Sequence, residues 1–148
     1  MNDVELGEAV RRCGLKNTKG RSAILGILEK SERPVSAEQV FMAMRDGGIS
    51  ANLSTVSRTL EALADKGLAR KLTIAGDSRN LYEFNRMEHR HYLVCLACNK
   101  IVAIDSCPLR DYEKRLSAET GYLITGHRLD VYGYCPECRI SYPQCPSP

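Results

Sequence analysis

The chain has 148 residues, enough for one ordinary domain or two small ones, and 43% apolar against 26% charged residues is the balance of a soluble globular protein, which excludes wholesale disorder and fibrous repeats. No apolar run approaches the roughly 18 residues of a membrane helix, and the start MNDVELGEAVRR carries acids where a signal peptide needs an apolar stretch, so no membrane partner and a cytoplasmic location are expected. A net charge of +3 permits an anionic partner without requiring one.

In chain order, the first elements are helical. Ile24, Leu25 and Leu28 form an apolar face after Thr18, and Ala37, Val40, Phe41 and Met44 repeat at helical spacing. Ser36-Ala37-Glu38-Gln39 fits a capping box at the start of the second of these helices, and Gly47-Gly48 ends it. A further helix is expected in NLSTVSRTLEALADKGL, with Val56, Leu60 and Leu63 inward, Gly67 as the stop, and Ser54, Thr55, Ser57 and Arg58 on the other face. Leu72 and Ile74 then alternate with polar residues, AGDSRN turns, and Leu81, Tyr82 and Phe84 run back as a hairpin.

Helix, turn, helix and hairpin is the order of a winged helix, whose second helix enters the DNA major groove while the hairpin touches the backbone. Short hydroxyls and one Arg suit base edges and phosphates, so Ser54, Thr55, Ser57 and Arg58 are the candidate DNA contacts. Lys16 and Arg21 among the first helices, and Lys71 and Arg79 in the hairpin, are candidate basic contacts beside them. A polar helix face is by itself only a solvated face, and 13 Lys and Arg against 11 acids in residues 1–85 is a modest excess, so the pattern needs support from elsewhere.

Cysteine supplies the contrast between the halves. Residues 1–85 hold only Cys13, read as a small core residue, whereas residues 86–148 hold six cysteines and all three histidines. With no export signal, these are expected to be metal ligands or redox groups instead of disulfides. HYLVCLAC and IVAI look like paired strands around a tight turn, Leu109, Tyr112 and Leu116 mark a short helix, and YLIT and RLDVYGYC look like further strands. The expected fold is therefore α+β: a winged-helix DNA-binding domain over 1–85, then a small α/β metal-binding and dimerisation domain over 86–148.

Cys95-Leu-Ala-Cys98 and Cys135-Pro-Glu-Cys138 are two knuckles with 36 residues between them. A two-residue spacer lets both thiolates of a knuckle face one ion, so Cys95, Cys98, Cys135 and Cys138 are expected to hold a structural Zn2+ with no ligand position left for a catalytic water. Cys145, in the proline-rich tail ISYPQCPSP, is not expected to join them. His89 and His91, six and four residues before Cys95, share one face of an extended segment and, with the distant His127, point to a second metal site. Its fourth ligand is open among Glu83, Asp105, Cys107 and Asp111. A zinc hydrolase or deaminase is the rival reading, but no histidine gives H-x-E or H-E-x-x-H, so no enzyme and no small-molecule substrate are expected.

Over nearly its full length the chain resembles the ferric uptake regulator family. CGLKNTKGRSAIL is similar to that family's first helices, NLSTVSRTLEALADKGLARK to its recognition helix, and HRHYLVCLACNK and TGHRLDVYGYCPEC to its metal-bearing half. The resemblance implies a homodimeric, metal-responsive transcription factor that binds a double-stranded DNA operator, holds structural zinc in the two CxxC pairs and senses a second divalent metal. The family's hinge-side sensing histidines correspond here to Arg90 and Tyr92, with Glu83 alone matching, whereas its other site corresponds to His89, His91 and His127. The resemblance thus implies a three-histidine sensor. The family's acidic ligand at the next helix start is replaced by Arg110, with Asp111 beside it; Ala103 stands where many members carry a carboxylate, and Ser57 stands in place of a tyrosine in the recognition helix.

Asp105-Ser106-Cys107-Pro108-Leu109 is similar to the zinc-uptake branch of the family. Imidazole-rich ligation suits Zn2+, Ni2+ or Fe2+, and a soft thiolate tilts the choice to zinc. The expectation is a zinc-dependent repressor of metal-uptake genes, with Fe2+ or peroxide response as the alternative.

Overall fold

The computed structural model describes residues 1–74, 78–86 and 89–141. Ala75, Gly76 and Asp77 of the expected turn, and Cys145, lie outside the described residues. The chain divides into two compact units, Met1–Met87 and Glu88–Pro148.

The first unit runs α1 (Asp3–Arg12), α2 (Lys19–Lys30), β1 (Val35–Ser36), α3 (Ala37–Asp46), α4 (Leu53–Asp65), β2 (Ala69–Thr73) and β3 (Asn80–Phe84). Its helices start where side chains replace missing backbone acceptors: Asn2 caps α1, Thr18 caps α2, Ser36 caps α3 and Asn52 caps α4. Ser36 and Gln39 form the expected reciprocal box, with the Ser36 N–H donating to Gln39 Oε1 at 2.8 Å and the Gln39 N–H donating to Ser36 Oγ at 3.3 Å. Gly48 and Gly67 follow α3 and α4 with φ of +71° and +75°, a left-handed turn that a Cβ would disfavour.

Side chains from each of the four helices close one core. Val10, Leu25, Leu28, Val40, Val56, Leu60 and Leu63 are fully enclosed there, joined by Ala69 and Tyr82 from the hairpin. β2 and β3 pair antiparallel with Leu72 opposite Leu81, and β1 adds to the far side of β3. This is the winged-helix arrangement, with α4 as the second helix of the pair and β2–β3 as the wing. The helix α1 is an addition to the sequence reading.

The second unit runs β4 (His91–Cys95), β5 (Ile101–Ile104), α5 (Arg110–Thr120), β6 (Asp130–Gly133) and a single 3-10 turn, Cys138–Ile140. Its sheet has the order β5-β4-β6, in which β4 pairs antiparallel with β5 and parallel with β6. A parallel partner requires a crossover, and α5 lies in it. The expected strand over YLIT does not form: residues 122–125 are irregular, and Tyr122 and Leu123 are among the most exposed apolar side chains described. The short helix marked by Leu109, Tyr112 and Leu116 forms as α5, with none of its residues buried.

Two candidate metal centres

The first centre is built at the ends of strands. Asn99, with φ of +59°, closes a tight turn in which the Asn99 N–H donates to the Cys95 carbonyl at 2.9 Å and the Cys95 N–H to the Lys100 carbonyl at 2.9 Å. Asn tolerates this left-handed conformation better than most residues, and the turn returns Cys98 toward Cys95. The parallel pairing of Cys95 with Gly133 brings the second knuckle, two residues further on, to the same place. The four Sγ atoms of Cys95, Cys98, Cys135 and Cys138 lie within 4.8 Å of one another. Cys98 and Cys135 are 3.8 Å apart. The edge of a ZnS4 tetrahedron with bonds of about 2.3 Å is about 3.8 Å, so the donor set fits Zn2+ as it stands.

Electrostatics agree with that fit. The Cys135 backbone N–H donates to Cys95 Sγ at 3.3 Å. Backbone donors of this kind, that of Cys135 foremost, hold the Cys95 thiol down to about 6, while the neighbouring thiol of Cys135 pushes Cys138 up to about 12. Four thiols this close can all ionise only around a cation.

The second centre draws on three segments: His89 and His91 at the entry to β4, Cys107 in the loop after β5, and His127 before β6. His89 Nε2 is 2.7 Å from His127 Nε2, and His91 Nε2 is 2.9 Å from it. Cys107 Sγ lies 3.4 Å from His91 Nε2 and 3.3 Å from His127 Nε2. Tetrahedral zinc asks for edges of about 3.3 Å between nitrogens and about 3.6 Å between nitrogen and sulfur, which outward shifts of a few tenths of an ångström provide. An imidazole nitrogen carries at most one proton, so one hydrogen bond cannot satisfy a His127 Nε2 that faces two nitrogens and a sulfur. A metal ion satisfies all four donors together.

Of the four residues open as the extra ligand, Cys107 joins the histidines. Asp105 and Asp111 are not in the group: Asp105 is exposed just beyond β5, and Asp111 is exposed in the first turn of α5; Glu83 belongs to the first unit, where it sits in β3 ion-paired to Arg70 at 3.4 Å. Two residues along a helix turn by about 200°, so Glu113 takes the opposite direction from Asp111. Its Oε1 lies 2.5 Å from His127 Nδ1. The sequence reading missed Glu113 because it sought the acid at the first two positions of the helix, Arg110 and Asp111, and not at the fourth.

On α4, Ser54, Thr55 and Arg58 are exposed and Ser57 is half-buried, while Val56 is fully enclosed. Lys16 is exposed, and the half-buried Arg21 donates through Nη1 to the Lys16 carbonyl at 2.7 Å. Arg79 is exposed beside the wing. Lys71 is engaged by Glu61 of α4 at 2.7 Å, so its charge is partly answered within the domain.

Comparison with known proteins accords with this architecture. A model of the ferric uptake regulator family matches residues 12–132. The peroxide-responsive repressor PerR of Staphylococcus aureus is 31% identical over 138 residues, covering 91% of this chain and 92% of that one. The solved ferric uptake regulator of Vibrio cholerae superposes with a TM-score of 0.78 at 29% identity, over 87% of this chain and 98% of its own. A zinc-bound manganese uptake regulator superposes with a TM-score of 0.69 at 28% identity, over 90% and 98%. The chain belongs to the ferric uptake regulator family and is a metal-responsive, DNA-binding transcriptional regulator, not an enzyme.

Proposed function

We propose that this regulator is a zinc-responsive repressor of metal-uptake genes, in which Cys95, Cys98, Cys135 and Cys138 hold a structural Zn2+ and His89, His91, His127 and Cys107 hold the regulatory one. The observation that carries the reading is the convergence of three imidazole nitrogens and a thiol on one point, with separations of 2.7 to 3.4 Å. Three nitrogens and a soft sulfur favour Zn2+ over Fe2+ or Mn2+, which prefer sites richer in carboxylates. Residues 86–148 would form the metal-binding and dimerisation domain and residues 1–85 the DNA-binding domain.

A homodimer is supported by an apolar row across the sheet of the second unit. Val102, Leu93 and Val131 are neighbours on β5, β4 and β6, and remain 48%, 41% and 37% exposed. A row of this kind is costly to leave in water, and a second copy of the chain would cover it.

Metal at the second centre ties the start of β4 to the segment before β6. If the metal-bound dimer alone presents two α4 helices at the spacing of an operator, metal and DNA strengthen each other's binding. Ser54, Thr55, Ser57 and Arg58 would then read base edges and adjacent phosphates, with Lys16, Arg21, Lys71 and Arg79 on the backbone. An operator duplex selected from a random pool should be bound at fixed salt when free zinc is raised into the picomolar to nanomolar range. Binding should be lost in His89→Ala. Anaerobic Fe2+ switching binding where zinc does not would overturn the metal assignment and favour the iron- or peroxide-responsive reading.

A further inference from the structure

We infer that Glu113 is a positioning residue of the second metal centre: it accepts a hydrogen bond from the Nδ1–H of His127 and so aims the Nε2 lone pair of that ring at the metal. The inference rests on the three-histidine and Cys107 reading above, and deepens it. Glu113 Oε1 lies 2.5 Å from His127 Nδ1, while His127 Nε2 faces His89, His91 and Cys107 at 2.7, 2.9 and 3.3 Å. A neutral imidazole has one proton and two nitrogens. A carboxylate against Nδ1 draws the proton there, because an ionised carboxylate only accepts, and Nε2 is left as the donor to the ion.

Charge supports the same assignment. Three neutral imidazoles and one thiolate around a divalent ion leave one positive charge in a partly buried site, and the Glu113 carboxylate, whose side chain is 26% exposed, neutralises it. A structural purpose follows too. Because α5 buries none of its residues, its bond to His127 is a tether between that helix and the metal centre.

The test uses the full-length protein with its structural zinc retained, and zinc itself as the probe in competition with a chelator. Glu113→Ala should weaken zinc at the second centre by about 10- to 100-fold. Glu113→Gln, which keeps a carbonyl acceptor for the Nδ1 proton, should lose less. In a His127→Ala background, Glu113→Ala should cause no further loss, since the ring it positions is gone. Nitrogen-15 spectra of His127 should show the Nδ1–H tautomer in the wild type and a mixture in Glu113→Ala. Wild-type affinity with an unchanged tautomer in both Glu113 variants would overturn the inference, as would an equal loss in the His127→Ala background. Should Glu113→Ala fail to fold, Glu113→Gln and its cycle with His127→Ala carry the same decision. The underlying reading fails separately: His89→Ala with undiminished zinc affinity removes the metal centre itself, whereas weakened His89→Ala beside unaffected Glu113 variants removes only the role of Glu113.

Discussion

In the proposed second centre Cys107 would set the preference among metals, because it is the single soft donor beside three imidazoles. Cys107→Asp replaces sulfur by hard oxygen at nearly the same reach, and is expected to lower zinc affinity by more than it lowers Fe2+ or Mn2+ affinity. Competition titrations on the two proteins measure the change in ratio, and an unchanged ratio would exclude the thiolate from the metal. Loading with Co2+ offers a second check, since the sulfur-to-cobalt absorption of the regulatory site should vanish in the variant. On the DNA side, Lys16 is exposed and is assigned to the backbone, where it carries no sequence information. Lys16→Ala is expected to weaken all duplexes alike and to reduce the salt slope of binding by about 1. A loss confined to one operator sequence would reassign it to base reading.

The elements owe their placement to caps and stops as much as to apolar spacing. Ser36 is completely buried and caps α3, so Ser36→Ala should cost about 1 kcal/mol, read from urea unfolding, without changing metal affinity. Between α4 and the wing, Glu61 accepts from Tyr82 Oη at 2.5 Å and from Lys71 Nζ at 2.7 Å. The Lys71 ammonium and then the Tyr82 hydroxyl hold the Glu61 carboxyl below its ordinary range. A carboxyl depressed in the folded state contributes stability above its unfolded pKa and loses that contribution as pH falls through the folded one. Acid should therefore destabilise the wild type more steeply than Glu61→Gln, by a small margin because both ions are about two-fifths exposed.

At this scale α3, α4, the wing and β5 were legible in the sequence, since each has periodicity bounded by a cap, a glycine or a turn. Helix α1 was not, because its inward side is mainly Leu6 and Val10; the signal that marks it is Asn2 and Glu5 closing a capping box. YLIT was misread for the opposite reason: its composition suits a strand, but pairing is a tertiary decision and β4 has its two neighbours already in β5 and β6. The two candidate metal centres were legible as groups of ligand types, the four cysteines by their spacing and the histidines by two-residue alternation. Cys107 was one of four open choices, and Glu113 was invisible until the direction of α5 put it behind His127.

For the whole molecule, the proposed function gives two zinc ions separate tasks. The four-cysteine centre joins the hairpin of β4 and β5 to the end of β6, so if it holds zinc as proposed, chelating that ion should unfold the second unit and abolish dimerisation, whereas emptying the second centre should leave a folded dimer. Circular dichroism and sedimentation on the two apo forms separate these outcomes. The central claim is that the second centre and the operator are energetically coupled, and coupling is reciprocal by thermodynamic necessity. The most direct measurement is the zinc affinity of the second centre in the free dimer and in the operator complex, at one salt concentration. The account predicts tighter zinc binding on DNA, by the same factor by which zinc tightens operator binding, and loss of that factor in His89→Ala. Equal zinc affinities in the free and DNA-bound protein would contradict it.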